Sequence, residues 1–395
     1  MLRRSVVLKH GPLFYGLGKE KLQLGTQLLP LLPSNHIYHD APKLRVALDR
    51  DGYLYFKNII PKDVIADAFN DIGDQLIQNG WVRPEDRAAQ MEESGFTYGC
   101  PFPKNCLPKS HGGEEAPLPD PKVGFAVTEA IQKAIAGTNM TTLIRQILSG
   151  QVVCLPQRTL ELSKPGEVHG FHMDRPYMAQ GTPLLLTAWI PLQHIPVSLG
   201  GLAVGRGSNS EDSFKDIRHS YGQYDLLEGD IHGDGSYTFD PHEMIEQAKL
   251  KPPKPVSKSK DNDKSSGGVH GPKTINPGRD DEDDDEEDEA IARESPLLTT
   301  SFEAGDVVVT TLYTMHSFMV NQTNLWRLSA ETKWMMEGDD IGIDKRYRGA
   351  QGFSQALADY EMTRDDVKKF PRSMEQAKKD WGLVDKEGKP CLKSL

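Results

Sequence analysis

The sequence has little cysteine, no long apolar run and no excess of base. Four cysteines in 395 residues cannot staple a disulfide scaffold. Cys100 and Cys106 lie six apart, Cys154 and Cys391 stand alone, and no CxxC pair occurs, which also excludes a zinc ribbon. A reducing compartment is the plain reading of that usage. The run of roughly 18 or more apolar residues that a membrane-spanning helix needs is absent. Base is not in excess either: 46 Lys and Arg face 57 Asp and Glu, for a net charge of −11. That figure is local in origin, because positions 280 to 289 are ten consecutive acids, and without them 47 acids face 46 bases. A near-neutral remainder argues against a nucleic-acid groove and against a strongly charged steering surface.

What is present suits one large domain or two modest ones. Hydrophobic residues at 37% are enough to build a sizeable core in a chain of this length. Residues 1–43 read as an irregular arm, and a main domain is expected over 44–340. Asp51-Gly52 marks a turn before a short aromatic strand, Tyr53 to Phe56. Pro61 opens a helix to about Gln78, with Ile65, Ala68, Phe69, Ile72, Leu76 and Ile77 on one face. Residues 93–123 read as a long loop, and a single helix is expected from Thr128 to Leu148. Strand signals follow at 151–162, 184–191, 202–204, 307–312 and 325–334. Residues 251–298, rich in Pro, Lys, Ser and acid, read as a disordered insertion within one β domain. Helices near 354–360 and 363–379 belong to a C-terminal helical segment, 341–395, expected to pack on the core. No internal repeat is visible.

The chemistry concentrates at His172-Met173-Asp174. On an extended strand, positions i and i+2 share a face, so an imidazole and a carboxylate would converge. A second imidazole from a distant strand would complete a two-His-one-carboxylate face, which suits Fe(II) because three positions stay open. Twelve histidines give about 0.6 His-x-Asp triplets by chance at background composition. The chain has two. The other, His232-Gly233-Asp234, sits among glycines in a polar loop rather than in a β run. His316 follows the strongest buried-strand signal, Val307 to Leu312; standing alone it would more often be structural. Arg327 lies eleven residues on, at the start of the next strand. Antiparallel pairing of those two strands would bring its guanidinium beside the metal, where its fork suits a distal carboxylate. A rim salt bridge is the ordinary alternative.

Taken together these residues resemble a known family. His172-x-Asp174, then Thr187-Ala188-Trp189-Ile190-Pro191-Leu192, then Gly200-Gly201-Leu202-Ala203-Val204 with Gly207-Ser208-Asn209, then Gly305-Asp306-Val307-Val308 with His316, Asn321 and Arg327, look like the phytanoyl-CoA dioxygenase-like family. The resemblance spans about residues 44–340. It implies a mainly β fold with flanking helices around a double-stranded β-helix (jelly-roll, cupin-like) core. It implies an Fe(II)- and 2-oxoglutarate-dependent dioxygenase that hydroxylates a small organic molecule and releases succinate and CO2. By position, His172, Asp174 and His316 would hold the iron and Arg327 the C5 carboxylate of 2-oxoglutarate. Trp189 would line the cosubstrate pocket, and Ser329 and Gln157 would assist. Two departures stand out. The family often has Gly-Ser-His where this chain has Gly207-Ser208-Asn209. Some members also have a cosubstrate-binding Ser where this chain has Phe318, with Ser317 one place earlier. A carboxylate at 174 implies hydroxylation rather than halogenation.

The competing reading is a degenerate β-helix scaffold that binds partner proteins, with a basic partner docking on the acid run at 280–289. A peptide substrate is a third reading; the near-neutral remainder disfavours nucleic acid. The expected location is the cytoplasm. Mitochondrial and peroxisomal alternatives rest on the acid-free first 19 residues and on Lys393-Ser394-Leu395, which holds the peroxisomal letters in the wrong order.

Overall fold

The computed structural model describes residues 13–78, 127–163, 165–211, 214–249, 296–323, 325–347 and 368–390. The loop at 93–123, the acid run and the helix at 354–360 lie outside the described residues. The chain is sheet-rich with flanking helices. It opens with β1 (Phe14–Leu17), β2 (Glu20–Gln23) and β3 (Leu29–Pro30). Next come α1 (Ala41–Asp51), β4 (Tyr53–Phe56) and α2 (Lys62–Gln78). Beyond the first gap lie α3 (Glu129–Ala136), α4 (Thr138–Leu148) and β5 (Val152–Ser163). Then follow β6 (Leu186–Pro191), β7 (Leu202–Gly205), α5 (Lys215–His219) and α6 (Pro241–Lys249). The last set is β8 (Leu297–Thr299), β9 (Val307–Thr311), β10 (His316–Phe318), β11 (Arg327–Met336) and α7 (Met374–Asp380).

Two sheets carry the architecture. The larger runs β4-β9-β6-β11-β5 and is antiparallel throughout; the smaller runs β10-β7-β8-β3. Alternation along the strands shows how they pack, since successive side chains take opposite faces. Leu54, Phe56, Ala188, Ile190, Val307, Val309, Leu328 and Ala330 point to one face of the larger sheet, where α1 to α4 cover it with Leu44, Ile65, Phe69, Ile131 and Ile144. Tyr53, Tyr55, Trp189 and Val308 point the other way and meet Leu202, Val204, Leu298 and Phe318 of the smaller sheet. One apolar core thus lies under the helices and a second between the sheets. By the same alternation, Arg327, Ser329, Glu331 and Lys333 on β11 face the space between the sheets, as do Glu161 and Ser163 on β5.

Several expectations need correction. The arm holds the β1–β2 hairpin, and β3 pairs in parallel with β8. Residues 296–298, expected to close the disordered insertion, instead lead into and form most of β8 in the smaller sheet, because Leu297 and Leu298 bury fully or nearly so. The helix at 128–148 is two helices, parted at Gly137, where a Cβ would lie 2.2 Å from the Lys133 carbonyl oxygen. Thr128 and Ser373 cap α3 and α7, so the described helix near the C-terminus begins at 374, and 363–367 lie outside the described residues. Finally, β9 and β11 do not pair; β6 lies between them.

The Gly-Ser-Asn segment turns out to be a structural corner. Asn209 Nδ2 donates to the Leu48 and Asp49 carbonyls at the end of α1. Ser208 Oγ accepts from the Met315 amide at 2.7 Å and donates to the Gly205 carbonyl at 2.6 Å. Gly52, which ends α1 at φ +79°, must be glycine, since a Cβ there would lie 2.6 Å from Asn209 Oδ1.

Candidate metal centre

His172, Asp174 and His316 come together between the sheets, with one ligand atom from each lying within 4.8 Å of the others. Among the described residues this is the one group of three or more His, Cys, Asp or Glu side chains placed to hold a metal. The route differs from the one expected. The triplet is not on a regular strand: His172 makes a single bridge, and Asp174 already has helical backbone angles at the start of the 3-10 turn Arg175–Met178. The bridge partner is His316 itself. The His172 amide donates to the His316 carbonyl and the His316 amide to the His172 carbonyl, both at 3.0 Å. The two rings sit 4.3 Å apart between centroids. His316 is held in turn by β10 pairing with β7, opposite Val204.

Each of the three side chains has its far atom tied. His172 Nδ1 donates to the Gly170 carbonyl at 3.0 Å and His316 Nδ1 to the Thr314 carbonyl at 2.9 Å. A carbonyl only accepts, so both rings carry hydrogen on Nδ1, which leaves Nε2 as the nitrogen that could meet a metal. Asp174 Oδ2 accepts from Lys333 Nζ at 2.6 Å and from Thr187 Oγ1 at 2.6 Å. Its Oδ1 faces His316 Nε2 at 3.8 Å. Burial, then repulsion from His316, pushes the His172 pKa down to about 3, so the ring is neutral at neutral pH. Burial alone would raise Asp174, but the Lys333 ammonium, followed by His316 and His172, holds it below the usual carboxylate range. Burial would lower Lys333; Asp174 and Glu331 outweigh that and raise it.

A second polar group lies on the inner face of β11 and β5. Arg327 is fully buried, its guanidinium stacked 4.2 Å from the Phe318 ring centroid. Nη1 donates to the Gly200 carbonyl, and Nη2 lies 3.0 Å from Glu161 Oε1. Nε makes no hydrogen bond, so the guanidinium keeps one buried donor without an acceptor beside its ion pair with Glu161. Burial lowers the pKa of Arg327. Ser329 Oγ donates to Glu161 at 3.4 Å, and His169 lies 3.7 Å from the same carboxylate and stacks edge-on against Phe318. Trp189 is 2% exposed, packs against Phe302 and Phe318, and leaves Nε1 without a partner. Gln157 lies on β5; its side chain is outside the described residues. Ser317 Oγ is turned away, donating to the His169 carbonyl.

The rival triplet is not assembled: His232 Nδ1 meets the Phe370 carbonyl at 3.1 Å, beside a bridge from Ile231 to Arg372. Three residues that sequence reasoning missed are Lys333, Thr187 and Glu161. Counting by twos from Arg327 along β11 passes Ser329 and Glu331 and arrives at Lys333, so that signal was there to find.

No protein-family model matches this chain, and no curated protein does. Solved structures to which the chain is similar include EctD from S. alaskensis with 2-oxoglutarate and 5-hydroxyectoine, at 14% identity and a TM-score of 0.40, over 81% of this chain and 86% of that one. The epimerase SnoN in complex with Fe3+, alpha ketoglutarate and nogalamycin RO matches at 16% identity and a TM-score of 0.39, over 79% and 93%. The non-heme monooxygenase ThoJ, as its Ni complex, matches at 12% identity and a TM-score of 0.37, over 85% and 99%.

Proposed function

We propose that this protein is an Fe(II)- and 2-oxoglutarate-dependent dioxygenase that hydroxylates a small organic molecule, built on a double-stranded β-helix over residues 44–340. The observation that carries the reading is the convergence of two bare imidazole nitrogens and one carboxylate oxygen, each fixed from behind. Two imidazole nitrogens and one carboxylate oxygen on one face suit Fe(II) and leave coordination positions free. Bound iron would supply oxygen activation coupled to decarboxylation of 2-oxoglutarate, giving succinate, CO2 and the hydroxylated product. His172, Asp174 and His316 would hold it.

The remaining roles fall to the chain's own side chains. Arg327 Nε is a buried donor without an acceptor, which is costly unless a ligand supplies one; Nη2 is paired with Glu161, so a cosubstrate carboxylate would share or displace that pair. Trp189 Nε1 is a second such donor. Phe318, Phe302 and Trp189 exclude water from the region, which strengthens any ion pair formed there. Ser329 and Gln157 are secondary candidates; Ser329 shares the face of Arg327. Membership of the phytanoyl-CoA dioxygenase-like family is proposed on the order of the motifs alone.

Anaerobic addition of Fe(II) and then 2-oxoglutarate to the metal-free protein tests the reading. The weak visible charge-transfer band of the chelate is expected in wild type and His232→Ala, and is expected to vanish in His172→Ala. Arg327→Ala should raise the 2-oxoglutarate concentration needed for half the signal by roughly 10-fold or more, the scale of losing a charge-assisted pair. No band in folded wild-type protein would remove the proposal.

A further inference from the structure

Lys333 is a cation with 3% of its surface exposed, lodged in a site built to hold another cation. An ammonium touching a ligand carboxylate repels an incoming metal ion, and low local dielectric strengthens that repulsion. Charge balance alone does not explain its placement, because Asp174 would be neutralised by the metal itself. The geometry points to a positioning role. We infer that Lys333, with Thr187, fixes Asp174 as a ligand through one oxygen only; the inference rests on the metal-centre reading above.

A carboxylate has two oxygens, and a free one can chelate a metal ion through both. Here Oδ2 is already engaged twice, by Lys333 Nζ and by Thr187 Oγ1. Nζ also lies 2.9 Å from Thr187 Oγ1, so the three groups close a triangle. The triangle is set by strand register, because Lys333 of β11 stands directly opposite Thr187 of β6. On the other side of β11 the pairing with β5 shifts register between Thr332 and Trp334, so Lys333 has no partner residue there. Glu331, two residues back on the same face, lies 2.7 Å from Nζ and supplies a counter-charge that does not depend on Asp174. Lys333 is therefore neutralised whether or not Asp174 gives its charge to a metal. Oδ1 alone remains turned toward the imidazoles. One oxygen and two nitrogens leave three positions on an octahedral ion, enough for a two-point cosubstrate and oxygen. A second carboxylate oxygen would fill one of them.

The test uses the full chain, freed of metal and titrated anaerobically with Co(II), whose visible d–d bands report coordination number. Lys333→Met keeps length and apolar bulk and removes the charge. Relative to wild type it should bind Co(II) roughly 10-fold more tightly, the scale by which groups behind a ligand shift metal affinity. The d–d bands should change, and 2-oxoglutarate should bind the Co(II)-loaded variant about 10-fold more weakly. Thr187→Val, which deletes one of the two bonds to Oδ2, should shift all three readouts the same way by less. Unchanged or weaker Co(II) binding with wild-type bands in folded Lys333→Met would overturn the inference and leave a simple strand-to-strand ion pair. If circular dichroism shows Lys333→Met unfolded, Thr187→Val decides by the same readouts. Folded wild type that binds no Co(II) would overturn the metal reading and this inference with it.

Discussion

At the scale of single residues, the candidate centre is defined by what stands behind each of its three side chains. Two backbone carbonyls fix the imidazoles and a lysine fixes the carboxylate. Burial of His172 makes stability depend on pH. His172 has a pKa near 3 in the folded chain against about 6.5 unfolded. Between those values the unfolded state binds a proton that the folded state refuses. Stability of the metal-free protein should therefore fall as pH drops from about 6.5 toward 3, with no further loss from this group below that. The largest slope one such residue can give is about 1.4 kcal/mol per pH unit. Urea unfolding of wild type and His172→Gln across this range isolates it. Identical slopes would show that His172 titrates normally.

At the scale of elements, some of the fold was legible and some was not. The strands announced themselves, because β6, β9 and β11 carry β-branched and aromatic residues between turn signals. Their partners did not. β9 and β11 are consecutive strong strands, yet β6 separates them, and pairing order is set by tertiary packing that local sequence does not encode. The inner face of β11 was hidden for a different reason. Arg327 and Ser329 stand out in the sequence, but Glu331 and Lys333 on the same face do not, because hydropathy cannot distinguish a solvent face from a polar interior whose charges are mutually paired. The three residues of the candidate centre were legible in the sequence, but not their geometry: His172 and Asp174 converge through a bridge and a turn rather than along a strand. The hairpin in the arm is short and half exposed, so it left almost no pattern. The Gly207-Ser208-Asn209 corner carries its own prediction. Asn209→Ala frees the Leu48 and Asp49 carbonyls, buried or partly so, at the end of α1. It should cost about 1–3 kcal/mol in urea unfolding while Co(II) affinity stays at the wild-type value. A change in affinity would tie the corner to the centre.

At the scale of the whole molecule, the boundary of the acidic segment matters. β8 pairs with β7 on one side and β3 on the other, so it is the seam of the smaller sheet. Replacing residues 251–295 with a short Gly-Ser linker should leave the melting temperature and metal binding near wild type. Extending the cut to 298 should lower the melting temperature sharply, because it removes Leu297 and Leu298 from the cores on either side of that sheet. Equal melting temperatures for the two deletions would show that β8 adds nothing. A loss of metal binding on the shorter cut would show that the segment serves the centre.

The reciprocal amide bonds between His172 and His316 have a kinetic consequence. Neither amide can meet solvent unless two chain segments 144 positions apart separate, and a metal held by both side chains would forbid that separation. Deuterium uptake at these two amides should thus be nearly synchronous, and occupancy of the centre should retard both together while leaving the amides of α7 at their original rate.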